Sequence, residues 1–284
     1  MLSINSNLSA LNAQTQLEKS RKNTEQTLAE LASGTQLSSA AVNAANTALS
    51  QSLEAQVRGD NQASSNALDG VSMVQTADSA MAQLQSNSQQ IQDLAIQAGD
   101  AALNSSNRQS LQQQVDQLTQ SNSSIIQNTQ YNGTSLLSSS NTLQFQVGPN
   151  GSSSNQINVN TSDLAATPAN GGLNSYNANL AATGTIDISS PASALAAQAG
   201  IQSDLDTISA SRTQLGATSN AFEAAYNNLQ TSSLNAQAAN SQISDTDYAA
   251  ASAQLVQQQI LGQAAIAMQG QANISQSSAL SLLS

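Results

Sequence analysis

A chain of 284 residues can form two or three modest domains, but only 39% of it is hydrophobic and 2% aromatic, so a thin, elongated architecture fits better than one large globule. Charged residues make up 8%, against about 25% in ordinary globular domains, and the formal net charge is −11. Such a chain repels nucleic acid and anionic membrane, and the absence of Cys and His excludes disulfides, thiolate chemistry, zinc fingers and histidine-based catalysis.

The basic residues are Lys19, Arg21, Lys22, Arg58, Arg108 and Arg212, with three of them clustered near the start. That cluster is too small to hold nucleic acid and is expected to face Glu18, Glu25 and acids of a neighbouring molecule. The opening MLSINSNLSALNAQ lacks the basic and apolar regions of a cleavable signal peptide. No run approaches the roughly 18 apolar residues of a membrane span, so no membrane insertion is expected.

Residues 4–31 read as a first helix, with Ile4, Leu8, Leu11 and Thr15 in one stripe that Leu28 and Leu31 resume. Gly34 suits its left-handed C-terminal position, and residues 35–43 are a Ser-rich connector. A second helix is expected from about Ala44 to Gly99. Leu49, Leu53 and Val57 open its stripe, and Leu68, Val71, Val74, Ala77, Met81, Leu84, Ser88, Ile91 and Ala95 continue it in steps of three and four. No globular core needs a helix of roughly 80 Å, so it must pack lengthwise on another. Gly59 and Gly70 within it read either as tolerated flaws or as points of close approach by a neighbouring helix.

A third helix is expected from Asn107 to about Gln127, with Leu111, Val115, Leu118 and Ile125 on one face. Gln130-Tyr131-Asn132-Gly133 marks a turn. The period then changes to two: Leu143, Phe145 and Val147, then Ile157 and Val159, predict a β-hairpin whose loop begins at Gly148-Pro149-Asn150-Gly151. Residues 160–190 read as loop with one short strand at Thr185–Ile188. Pro191 opens a fourth helix through Ile201, Leu205, Ile208, Arg212, Leu215, Phe222, Tyr226 and Leu229, the expected partner of the long helix. Ile243-Ser244-Asp245-Thr246-Asp247 interrupts the pattern and supplies an N-cap. A last helix runs from Asp247 to about Ser281 through Ala251, Leu255, Ile260, Leu261, Ile266 and Met268, and ends in Leu280, Leu282 and Leu283.

The expected fold is mainly α: long antiparallel helices forming a coiled-coil rod, a small β-hairpin region, and helical termini that pair because each is half-apolar and too polar to stand alone. The apolar ends suggest burial against other copies. Asp204, Asp206, Asp245 and Asp247 read as solvated helix surface and caps rather than a cation site, and no substrate cleft accompanies Asp93 and Asp116. No enzyme activity, cofactor or metal is expected.

Both the layout and particular residues resemble bacterial flagellin. The matching segments are Ile4-Asn5-Ser6-Asn7, Leu31-Ala32-Ser33-Gly34, the run Gln62 to Ser72, Leu94-Ala95-Ile96-Gln97, Thr129-Gln130-Tyr131-Asn132-Gly133, Phe145-Gln146-Val147-Gly148, Ser241 to Ala249, and the final Leu280-Ser281-Leu282-Leu283. The resemblance covers about residues 1–160 and 190–284. It implies a subunit that polymerises with many copies of itself into an extracellular filament used for motility. Export would run through the flagellar type III apparatus without a cleaved signal, and the expected partners are an export chaperone, the filament cap and hook-junction proteins. A hook–filament junction protein or a flagellin-like surface adhesin is the alternative.

The division implied is an inner N-terminal helix and connector at 1–43, an outer helical shell with hairpin at 44–160, a residual variable loop at 161–190, a returning helix at 191–240 and an inner C-terminal helix at 241–284. The assembly surface would comprise Ile4, Leu8, Leu11, Leu28, Leu31, Leu255, Ile260, Leu261, Ile266, Leu280, Leu282 and Leu283. Most flagellins carry large outer domains that this chain lacks. The connector, with Thr35-Gln36-Leu37 and Ala41-Val42-Asn43, also lacks the charges of the family pattern. In the family, a host Toll-like receptor reads an Arg in the segment matching Gln89 to Leu94, with a Glu on the next helix; the corresponding residues here are Gln90 and Gln114. The Ser-rich segments 138–140 and 152–154 are candidate O-glycosylation surfaces on the same resemblance, or plain loops.

Overall fold

Asn7 starts helix α1, Leu8–Ser33: its side-chain oxygen accepts from Ala10 N at 3.0 Å, satisfying a helix N–H that has no intrahelical partner. Gly34 ends it at φ 73°, where its N–H reaches Glu30 O at 2.9 Å. The computed structural model describes residues 7–38, 43–177 and 186–281, and it divides into two units: Met1–Val57 with Leu234–Ser284, and Arg58–Ser233. Helix α2, Ala44–Ala98, and helix α4, Pro191–Ser244, contribute to both.

In the second unit α2, α3 (Ser105–Asn128) and α4 enclose two apolar clusters. Ala67, Met73, Val74, Met81 and Leu84 of α2 meet Ile126 of α3 and Ile208, Leu215 and Phe222 of α4. Farther along α2, Ile91, Ala95 and Ala98 pack with Leu111, Val115, Ile188 and Ile201. The α2 and α4 segments run antiparallel, as paired contacts at Asp60–Ser232, Asp78–Arg212 and Gln92–Gln202 require. Arg212, which interrupts the apolar stripe, bonds Asp78 at 2.8 Å and Gln85 at 2.6 Å, and its partner's carboxylate raises its pKa. The pair is too exposed to contribute more than about 1 kcal/mol. Arg108 is buried instead. It donates to Ala98 O at 2.9 Å and Asp100 O at 2.6 Å, placing a cation at the carbonyl end of α2.

Both glycines within α2 are points of close approach. A Cβ on Gly70 would lie 2.4 Å from the Phe222 ring, and a Cβ on Gly59 would lie 2.9 Å from Pro149 Cβ. The neighbour at Gly59 is therefore the hairpin loop, whereas a helix side chain fills the space at Gly70.

After α3, β1 (Gln130–Tyr131) and β2 (Thr134–Ser135) form a minimal antiparallel ladder. Asn132 and Gly133 turn the chain at φ 49° and 77°, the left-handed pair that matches strand twist in a two-residue hairpin. Strands β3 (Thr142–Gln146) and β4 (Gln156–Asn160) pair Leu143 with Val159 and Phe145 with Ile157, so the alternating apolar residues share the face turned to the core. Phe145 meets Phe222 edge to face at 5.3 Å.

The following segment carries no strand over residues 186–188, and residue 185 lies outside the described residues. Most of what is described there is loop, but its apolar side chains are interior: Leu164, Leu173, Ile186 and Ile188 are all buried. Asp204 anchors it. Far from solvated, Asp204 is buried in α4, and its carboxylate accepts from Asn174 N at 2.7 Å, Asn174 Nδ2 at 2.8 Å and Ser175 N at 2.9 Å. A loop interior to the fold must satisfy its backbone amides, and this carboxylate satisfies two of them.

Candidate assembly surface

The first unit is built on the pairing of α1 with α5, Tyr248–Ser281, which Asp247 caps by accepting from Ala249 N at 2.9 Å and Ala250 N at 3.1 Å. The two helices are antiparallel: Asn7 reaches Ala272 O at 3.1 Å, and Ser20 Oγ reaches Gln258 O at 2.8 Å. The seam is lined by small and polar residues. Ser20, Thr27, Gln258, Ala251 and Ala265 are its buried members, and Thr27 Oγ1 bonds Gln258 Oε1 at 3.3 Å.

A second fastening joins the breaks that flank these helices. Thr35 and Asp245 form an isolated antiparallel bridge, with Gln36 N donating to Ser244 O at 2.8 Å and Thr246 N to Gly34 O at 3.0 Å. The chain leaving α1 and the chain entering α5 are thereby tied together.

The residues expected to form the assembly surface are, where described, largely turned to solvent. Leu8 is 64% exposed, Leu11 57%, Ile260 60% and Ile266 55%; Leu28 and Leu261 are also exposed. Leu31 and Leu255 are half-buried. Leu280 falls in the last turn of α5, while Ile4, Leu282 and Leu283 lie outside the described residues. Tyr248, Val256, Met268 and Ile274 add to the exposed apolar surface and were not among the expected interface residues. For Val256 the signal in the sequence is the doublet Leu255-Val256, which puts apolar side chains on more than one side of a helix. Between α1 and α5 a groove of about 630 Å³ opens, lined by Ala13, Gln16, Leu261, Ala264, Met268 and Ala272.

In the second unit Gln90, Asp93 and Leu94 of α2 and Gln114, Gln117 and Leu118 of α3 line a cleft of about 430 Å³. Gln90 and Gln114, distant in sequence, are thus neighbours across one surface, and Gln89 is exposed next to Gln90 in sequence. Among the described residues no group of three or more His, Cys, Asp or Glu is placed to hold a metal ion, and no helix is long and apolar enough to cross a membrane.

Residues 4–142 match the family model of the bacterial flagellin N-terminal helical region, and residues 199–283 match that of the C-terminal helical region. The chain belongs to the bacterial flagellin family. It is a structural subunit of the flagellar filament. A flagellin of Bacillus subtilis is 31% identical and one of Halalkalibacterium halodurans 33%, each match spanning 99% of both chains. A Treponema maltophilum flagellar filament 30.7 kDa core protein is 31% identical over 99% of both. The short middle is therefore common to these relatives. By contrast, a Salmonella phase 1 flagellin matches 62% of this chain but only 34% of its own length. A crystal structure of Bacillus cereus flagellin aligns with a TM-score of 0.48 and 20% identity over 58% of this chain and 88% of that one.

Proposed function

We propose that the exposed aliphatic side chains of α1 and α5 are the contacts through which copies of this chain polymerise, with the seam between the two helices reserved for holding the pair together. The observation that carries this reading is the outward placement of Leu8, Leu11, Ile260 and Ile266 on helices already joined to each other by Ser20, Thr27 and Gln258. Burying each such side chain between copies contributes about 1.5–3 kcal/mol, a gain that the isolated subunit forgoes. Leu28, Leu31, Leu255 and Leu261 belong to the same surface, and the family resemblance adds Ile4, Leu280, Leu282 and Leu283 to the assembly contacts. The subunit acts as a building block and not as a catalyst. It is exported through the flagellar secretion apparatus to an extracellular filament, and it meets an export chaperone, the filament cap and hook-junction proteins on the way.

Replacing Leu11 and Ile260 together by Gln tests the assignment. Both side chains are already more than half exposed, so the unfolding midpoint of the monomer should move little, by an amount equivalent to about 0.5 kcal/mol per site. Sedimentation should show assembly lost or its critical concentration raised at least about tenfold, the equivalent of 1.4 kcal/mol per subunit. Filaments forming at the unaltered concentration would remove these residues from the interface.

The cleft between α2 and α3 supports a second proposal: the chain is a poor ligand for the innate receptor that reads other flagellins. Gln90 and Gln114 stand where the family presents an Arg and a Glu, and a Gln amide supplies neither the guanidinium fork nor the carboxylate charge. Receptor-expressing reporter cells should respond weakly to the purified chain and more strongly to the Gln90→Arg, Gln114→Glu double variant. Full potency of the unaltered chain would refute it.

A further inference from the structure

Three Asn-Gly pairs lie on loops of the second unit: Asn132-Gly133, Asn150-Gly151 and Asn170-Gly171. All six residues are exposed. An asparagine followed by glycine is prone to self-modification because the next backbone nitrogen meets no Cβ as it approaches the side-chain amide. We propose that Asn150 is a built-in deamidation site of this chain, activated by the hairpin loop that carries it.

The chemistry is hydrolytic and needs only water. Gly151 N gives up its proton to a solvent base and bonds to Asn150 Cγ. The Cγ–Nδ2 bond breaks, and Nδ2 leaves as ammonia with a proton from solvent. The resulting five-membered imide adds water at either carbonyl, giving Asp or the isomer whose backbone runs through Cγ. No oxidation or reduction occurs.

The rate depends on how readily Gly151 N–H ionises, since the charge that appears on nitrogen is shared with the carbonyl oxygen of the same peptide group, Asn150 O. That oxygen accepts from Gln146 Nε2 at 2.6 Å and from Asn155 Nδ2 at 3.0 Å. Two donors already aimed at an oxygen that gains charge lower the barrier to its formation, as an oxyanion hole does. Among the described residues the two groups that must react have no hydrogen-bond partner: none holds the Asn150 side-chain amide or Gly151 N–H.

The other two pairs are held back. Gly171 N already donates to Pro168 O at 3.2 Å, and Asn170 Nδ2 donates to Thr167 Oγ1 at 3.0 Å, so both reacting groups are occupied. Asn132 is fixed at φ 49° in a two-residue turn closed by the Tyr131–Thr134 pair, and ring closure would have to unwind it. Each event at Asn150 adds a negative charge to the loop whose Pro149 sits against Gly59, and the isomerised product adds a methylene to that backbone.

The test is timed incubation of the purified full-length chain at mildly alkaline pH, followed by peptide mapping for the gain of about one dalton and for the isomerised residue. Asn150 should convert ahead of Asn132 and Asn170, and Asn150→Gln should abolish the signal from its peptide. Gln146→Met keeps the dipeptide and its exposure while deleting one donor, and should slow conversion about fivefold. Equal conversion at Asn132 or Asn170, or a Gln146→Met rate that is unchanged or raised, would overturn the proposal.

Discussion

A chain ending at Asp247 should form no filaments, yet remain folded between Arg58 and Ser233. The deletion removes α5, and with it both the seam that holds α1 and the exposed residues Ile260 and Ile266. Helix α1 then has little to keep it formed. Its 26 residues bury only Ser20 and Thr27, both against α5, and isolated helices of this polarity are marginal in water. The second unit loses nothing from its interior, because every member of the two apolar clusters lies between Ala67 and Phe222. Electron microscopy and sedimentation should therefore report monomers at any practical concentration. Far-UV circular dichroism should show the loss of about two helices' worth of signal, and limited proteolysis should leave a resistant fragment close to residues 58–233. A truncated chain that still forms normal filaments would defeat the assignment of assembly to the terminal helices. Loss of the resistant fragment would show instead that the second unit depends on the first.

Which features were readable from the sequence follows from what a periodic pattern can and cannot specify. The spacing of Val74, Ala77, Met81 and Leu84 placed these residues on one face, and the clusters they form with Ile208 and Leu215 follow from that spacing. Alternation in the same way put Leu143, Phe145 and Val147 on one face and Ile157 and Val159 on one face of a hairpin, without specifying the register that pairs Leu143 with Val159 and Phe145 with Ile157, and Asn132-Gly133 marked a turn that only left-handed residues close. A period says which residues share a face, not where that face turns. On α1 the leucine stripe turns outward, and the partner helix is met by Ser20 and Thr27, which no hydrophobic pattern highlights. Asp204 departs from the solvated placement its sequence position suggests for a related reason. A carboxylate on a helix is normally solvated, and its burial here depends on Asn174 and Ser175, thirty and twenty-nine positions away in sequence, arriving with their amides. The segment that delivers them is rich in Asn, Gly, Thr and Ser, so the single apolar residues Leu164 and Leu173 that seat it in the core stood out too little.

The other large effect is expected at the meeting of Gly70 and Phe222, and the monomeric truncated chain is a suitable background for measuring it. Phe222 is fully buried, packs edge to face on Phe145 and occupies the space that a side chain at position 70 would need. Phe222→Ala should cost about 3–5 kcal/mol, the usual loss when a buried aromatic is removed and its cavity only partly collapses. Gly70→Ala works in the opposite direction. The new methyl would lie 2.4 Å from the ring and force it to move, an overpacking cost of about 1–3 kcal/mol. The gain of about 1 kcal/mol from placing Ala instead of Gly in a helix interior offsets part of it. The two changes share one space, so their effects should not add. In the Gly70→Ala, Phe222→Leu double variant the smaller side chain makes room for the methyl, and the loss should fall below the sum of the losses of the Gly70→Ala and Phe222→Leu single variants by about 1 kcal/mol or more. Urea unfolding followed by circular dichroism gives each term. Strict additivity would mean that α2 and α4 can separate at this point at little cost, and that the glycine reflects something other than the ring packed against it.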